Sequence, residues 1–80
     1  MNRFKGKSVI VTGAASGFGA AIARKFASEG ASVVCADLNM TGATEVADSL
    51  AGAIPFEIDV SDEAQNKAMI QSAVDHFGKI

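Results

Sequence analysis

A β-branched run ends in a glycine-rich turn and passes at once into an alanine-rich segment. The run is Ser8-Val9-Ile10-Val11-Thr12, and the turn is Gly13-Ala14-Ala15-Ser16-Gly17-Phe18-Gly19. Residues 8–12 are apolar on both faces, the pattern of a parallel strand buried between layers. After the turn, Phe18, Ile22 and Phe26 recur at spacing four, and Gly30 stands where a helix stop belongs. A helix is therefore predicted from Gly17 to about Glu29. A buried strand joined so directly to a helix restricts the chain to α/β layer architectures.

The remaining segments continue the alternation. Ser32 to Ala36 reads as a second buried strand. Thr41 is placed to cap a second helix, in which Ala43, Val46, Ala47 and Leu50 share one face and Gly52 follows the end. Ile54, Phe56, Ile58 and Val60 alternate as in a third strand. Ser61 is the expected cap of a third helix, with Asp62 and Glu63 in its first turn and Gly78 at its end. Its predicted apolar stripe is Ile70, Ala73, Val74 and Phe77, and Phe4 and Phe56 are expected in the core. The order βαβαβα, with short loops and no linker or repeat, predicts a parallel sheet covered by helices. Right-handed crossovers place the first two helices on one face. This is the N-terminal half of a doubly wound parallel-sheet (Rossmann) fold, an α/β class.

In such a fold the turn after the first strand meets the phosphates of a dinucleotide. Gly13 permits the tight turn out of the strand. Gly17 removes a side chain where the backbone approaches the pyrophosphate, and Gly19 lets the helix pack closely. The amides of Phe18 and Gly19 are expected at the helix N-terminus, where the dipole favours an anion. The glycine intervals are four and two, and the loop holds no lysine. A Walker A loop requires Gly-Lys-Ser/Thr, and the generic dinucleotide fingerprint has intervals of two and three. Asp37 ends the second strand 24 residues after Gly13. An acidic residue near that distance suits the hydroxyls of a ribose.

The loop Thr12-Gly13-Ala14-Ala15-Ser16-Gly17-Phe18-Gly19 resembles the Thr-Gly-x-x-x-Gly-x-Gly loop of the short-chain dehydrogenase/reductase family, in its compact single-domain branch. The resemblance covers essentially the whole chain, from Lys7-Ser8-Val9-Ile10-Val11-Thr12-Gly13 to His76-Phe77-Gly78-Lys79-Ile80. It implies an NAD(P)-dependent oxidoreductase that interconverts an alcohol and a carbonyl. Gly13, Ser16, Gly17, Phe18 and Gly19 would contact the cofactor, with Asp37 on the adenine ribose and Leu38 beside it. By the same resemblance the Asp59 carboxylate would take the adenine amine, and the Val60 amide a ring nitrogen. Phe18 departs from the Ile or Leu usual in the family; its backbone is the part that matters, so binding should survive.

Asp37 followed by apolar Leu38, with no Lys or Arg from Phe26 to Asn66, predicts NAD rather than NADP. A remote basic residue folded into the pocket could act otherwise, with Arg24 and the C-terminal half of the parent as the candidate sources. The family's Asn-Asn-Ala-Gly motif, its serine and its Tyr-x-x-x-Lys pair have no counterpart in residues 1–80, which contain no tyrosine. The chain is thus expected to be a partial domain ending before the fourth strand, inactive by itself and without catalytic residues. The resemblance further implies a parent that acts on a small alcohol or carbonyl as a homo-oligomer, dimer or tetramer. Two other classes stay open: a non-catalytic dinucleotide-binding or sensing module, and a nucleotide-type enzyme such as a methyltransferase. Glycine spacing and Thr12 speak against the second.

Composition closes off other functions. The net charge of -2 leaves no basic footprint for nucleic acid or an anionic membrane. One cysteine and one histidine cannot build a zinc site, so no metal is expected. Cys35, within a predicted buried strand, reads as packing, and His76 as solvated helix surface. Arg3, Lys5 and Lys7 ahead of an apolar run faintly imitate a signal peptide, but the glycine turn interrupts the run. A cytoplasmic location is expected.

Overall fold

The computed structural model describes residues 5–59 and 61–78. Phe4, Val60, Lys79 and Ile80 lie outside the described residues. The elements are β1 (Ser8–Thr12), α1 (Gly17–Ser28), β2 (Ser32–Asp37), α2 (Met40–Asp48), β3 (Ala53–Glu57) and α3 (Glu63–Phe77), the βαβαβα order read from the sequence. The strands form one parallel sheet in the order β1-β2-β3. Ser8 pairs with Ser32 and Thr12 with Ala36; Val33 pairs with Ala53 and Asp37 with Glu57. This register brings the turn after β1, the end of β2 and the segment after β3 to one end of the sheet. That end, the carboxyl edge of the strands, is where open α/β sheets bind ligands.

The two faces are covered as the crossover rule requires. On one face Ala20 and Ala23 of α1 and Val46 and Ala47 of α2 pack with Val11, Val33 and Cys35. On the other, Met69 and Ala73 of α3 pack with Val34, Ala36 and Ile58. Burial raises the Cys35 thiol above its ordinary pKa, so the group is a packed neutral side chain. Phe56 is half-buried against the second cluster, near its expected place.

α1 ends as its sequence announces. Gly30 adopts φ +92, its amide donates to Ala27 O, and the Ala31 amide donates to Phe26 O. These two bonds make a Schellman motif, which satisfies carbonyls that the last turn leaves free. Gly78 closes α3 at φ +80.

Four local expectations are corrected. α2 is capped by Asn39, whose Oδ1 accepts from the Gly42 amide at 3.0 Å, so the helix starts before Thr41. α3 is capped by Asp62 rather than Ser61, with Asp62 Oδ1 accepting from the Gln65 amide at 3.1 Å. Both replacements have short side-chain oxygens that reach the N3 amide; Ser61 instead serves Asp59. The stripe of α3 is also shifted. Met69, Ala73 and Phe77 face the sheet, while Ile70 and Val74 are 48% and 38% exposed. Residues 69, 73 and 77 align at i, i+4 and i+8, one position round the helix from 70 and 74. Finally, β3 stops at Glu57, short of Val60, because the chain turns at Asp59 into α3. Ile58 still donates one ladder-like bond, to Asp37 O at 3.0 Å.

Candidate functional site

The glycine loop is built by three different constraints. Gly13 adopts φ +69, a conformation that disfavours any side chain. Gly19 is held by close packing, since a Cβ there would overlap the Gly13 carbonyl oxygen. Gly17 is neither: its φ is ordinary, and a Cβ would meet nothing within 4 Å. The fold therefore has no use for a glycine at position 17. An open space kept beside the backbone is what a ligand approaching the main chain would need.

Ser16 caps α1. Its hydroxyl donates to Gly13 O at 2.7 Å and accepts from the Gly19 amide at 3.1 Å. The one donor of that hydroxyl is thereby committed, so Ser16 acts through the cap. The Gly19 amide, expected on the anion, is likewise occupied. The amides of Gly17 and Phe18 make no hydrogen bond among the described residues. They stand at the positive end of the α1 dipole, and unlike the Gly19 amide they have no partner among the described residues. The Phe18 ring is 80% exposed and contributes nothing to the core.

Beside the loop, Gly13, Asp37, Leu38, Ile58 and Asp59 line a recess of about 180 Å³. Asp37 is half-buried there. Its Oδ2 accepts from the Ala15 amide at 3.0 Å and its Oδ1 from the Asn39 amide at 2.9 Å. A carboxylate has about four acceptor sites, so roughly two remain for hydroxyls of a ligand. Leu38 is exposed at the rim, and Ile58, almost fully buried, is the apolar floor. From sequence alone Ile58 is only a strand residue; its position two beyond Phe56, the partner of Ala36, is the signal that places it at the recess.

Asp59 lies at the far wall. Its Oδ1 accepts from the Ser61 amide at 2.9 Å and the Ser61 hydroxyl at 2.6 Å. The Ser61 hydroxyl first, then its amide, hold the Asp59 carboxyl below its ordinary pKa. The Asp59 amide donates to Gln65 Oε1 at 2.7 Å. Arg24 lines a separate groove between α1 and α2 with Glu45, Ser16 and Gly17. No helix among the described residues is long and apolar enough to cross a membrane.

These features fit a dinucleotide: free amides at a helix N-terminus, an unobstructed approach at Gly17, a carboxylate with spare acceptor sites and an apolar-floored recess. Together with the sheet order they define a half of the doubly wound dinucleotide-binding class.

The family follows from comparison. The short chain dehydrogenase family model matches residues 7–80, and the chain belongs to that family. It is 41% identical over 78 residues to the L-fucose dehydrogenase of Oryctolagus cuniculus, covering 98% of this chain and 28% of the relative. It is 37% identical over 82 residues to the 3-oxoacyl-[acyl-carrier-protein] reductase of Thermotoga maritima, covering 98% of this chain and 33% of that enzyme. Among solved structures, it superposes with a TM-score of 0.91 and 40% identity on a 3-ketoacyl-(acyl-carrier-protein) reductase from Brucella melitensis complexed with NADH, covering 96% of this chain and 32% of that one. The chain thus spans about a third of the length of these relatives.

Proposed function

We propose that the complete protein is an NAD-dependent oxidoreductase interconverting a small-molecule alcohol and a carbonyl, and that residues 1–80 hold the adenosine-diphosphate end of its cofactor. The observation that carries this reading is the open approach at Gly17 beside two unpaired amides. When bound, the nicotinamide supplies the hydride chemistry. Gly17 and Phe18 donate to the pyrophosphate, and Gly13 and Gly19 shape the turn that presents them. Asp37 accepts from the adenine-ribose hydroxyls. Leu38 and Ile58 sandwich the adenine while Asp59, with Val60, reads its edge. General acid–base work falls to residues outside this chain, which has no tyrosine.

NAD is preferred to NADP on electrostatic grounds. Hydrogen bonds from hydroxyls to a charged acceptor contribute about 1.5–3 kcal/mol. A 2′-phosphate replaces one of them, and unit charges ~4 Å apart repel by about 4 kcal/mol at an effective dielectric near 20. Arg24, a candidate counter-charge, lines a groove with Glu45 rather than the recess that holds Asp37. The names of the relatives, dehydrogenases and reductases, favour catalysis over a sensing module. Family resemblance alone supports a cytoplasmic homo-oligomer.

The test is a calorimetric titration of the complete protein with NAD and NADP, followed by assay of a panel of secondary alcohols at the reduced-nicotinamide absorbance band. NAD binding with turnover of at least one alcohol is expected. Failure to bind either cofactor overturns the reading.

A further inference from the structure

Between Gly13 and α1 the loop's own bonds are local: the Ser16 amide and hydroxyl both donate to Gly13 O, at 3.1 and 2.7 Å. Residues 15–17 carry two methyl-sized or absent side chains and one serine turned back on its own cap. Gly17 has no neighbour at its missing Cβ. The preceding residue, Ala14, is tied to the sheet by its amide, which donates to Ala36 O at 3.1 Å. The next tie is not backbone to backbone. It is the Ala15 amide donating to Asp37 Oδ2 at 3.0 Å, across 22 residues of sequence. On its other side Ala15 rests against α2, where a Cβ added to Gly42 would stand 2.7 Å from the Ala15 Cβ.

We propose that Asp37 is a positioning residue for the glycine loop as well as a ribose ligand: its carboxylate braces Ala15, and so sets how the amides of Gly17 and Phe18 face the cofactor's pyrophosphate. The inference rests on the cofactor reading above and adds a second role to Asp37. One oxygen holds the loop and the other holds Asn39, the cap of α2. The residue that selects the ribose therefore also fixes the two elements that flank it. Pyrophosphate grip and ribose selection are coupled through one side chain. Replacing Asp37 to admit NADP removes the brace along with the repulsion.

The two roles separate with an NAD analogue whose adenine ribose lacks both hydroxyls, so that Asp37 has no ribose contact to lose. Removing a negative charge near the pyrophosphate strengthens binding; removing a brace weakens it. The opposite signs make the experiment decisive. In the complete protein, Asp37→Ala is expected to bind the dideoxy analogue about tenfold more weakly than the unmodified protein, a loss of 1.4 kcal/mol. Asp37→Asn removes the same charge but keeps one carbonyl oxygen able to accept from Ala15, and is expected to recover most of the loss. Amide hydrogen exchange at Ala15 in the ligand-free protein should quicken at least severalfold in Asp37→Ala and less in Asp37→Asn. Equal or tighter analogue binding by Asp37→Ala, equal affinities for the Ala and Asn variants, or unchanged exchange at Ala15 overturns the brace. The cofactor reading fails by a different result: an unmodified protein that binds neither NAD nor the analogue.

Discussion

Asp37 and Asp59 stand at the same end of neighbouring strands, and each carboxylate accepts two hydrogen bonds, yet the bonds do different things. Those of Asp37 come from the amides of Ala15 and Asn39, residues on two different connections. Those of Asp59 both come from Ser61, two residues along the chain. Asp37 is half-buried and Asp59 exposed. The first corner is thus held by tertiary contact and the second by a local turn. A carboxylate that spans segments can transmit a change at one to the other, whereas a carboxylate in its own turn mainly orders itself. Damage at the first corner should therefore reach the glycine loop as well as the ribose, whereas damage at the second should be felt only where Asp59 itself meets the adenine.

The largest expected effect is on cofactor choice. Asp37→Ala in the complete protein should reduce the ratio of kcat/KM for NAD over NADP about a hundredfold, from loss of bonds worth about 1.5–3 kcal/mol and of the repulsion of the 2′-phosphate. Asp59→Ala should leave that ratio unchanged. An equal fall in both variants would erase the distinction between the corners.

A pair of glycine substitutions sharpens the first corner. Gly19→Ala must displace the Gly13 carbonyl and should lower stability by about 1–3 kcal/mol, the range for overpacking. Gly17→Val meets open space; thermal unfolding should be nearly unchanged while NAD affinity falls at least about tenfold, or 1.4 kcal/mol. Chemical denaturation and calorimetry on the two variants give the comparison. Reversed outcomes would mean that Gly17, not Gly19, is the packing glycine.

The smallest effect belongs to the second corner. Ser61→Ala removes the hydroxyl bond and keeps the amide bond, so the Asp59 pKa should rise part of the way to its ordinary value. Carbon-13 NMR titration of the Asp59 carboxyl measures it directly. Because the folded-state pKa is depressed, the associated stability is present above the ordinary carboxylate range and is lost as pH falls through the folded value. The group is exposed, so the change in stability should be slight. A pKa that stays depressed in Ser61→Ala would assign the effect to something other than the local turn.

The element order, the parallel strands, the burial of β2, the glycine turn and the presence of Asp37 at its edge were all legible in the sequence. Each is expressed at short range: β-branching, helical spacing, glycine intervals and an acid at a fixed distance constrain the backbone within a few residues. The caps of α2 and α3 were misplaced by one or two residues, because Thr41 and Asn39, or Ser61 and Asp62, are chemically near-equivalent as caps. Which one is used depends on where the preceding strand releases the chain. The stripe of α3 was misread for a related reason. Ile70 and Val74 are as apolar as Met69 and Ala73, and only docking against Val34 and Ala36 chose between two overlapping faces.

The sequence by itself determined that residues 13–19 make a tight turn into a helix and that an acidic group ends the second strand. Only the tertiary structure decided that Ser16 donates to Gly13 and that Asp37 reaches Ala15. Those outcomes depend on parallel pairing of β1 with β2, which sets Gly13 beside Asp37 across 24 residues of chain. No local propensity encodes a hydrogen bond between groups so far apart; it exists because burial of Val33, Val34, Cys35 and Ala36 fixes the register of the strand that carries the carboxylate.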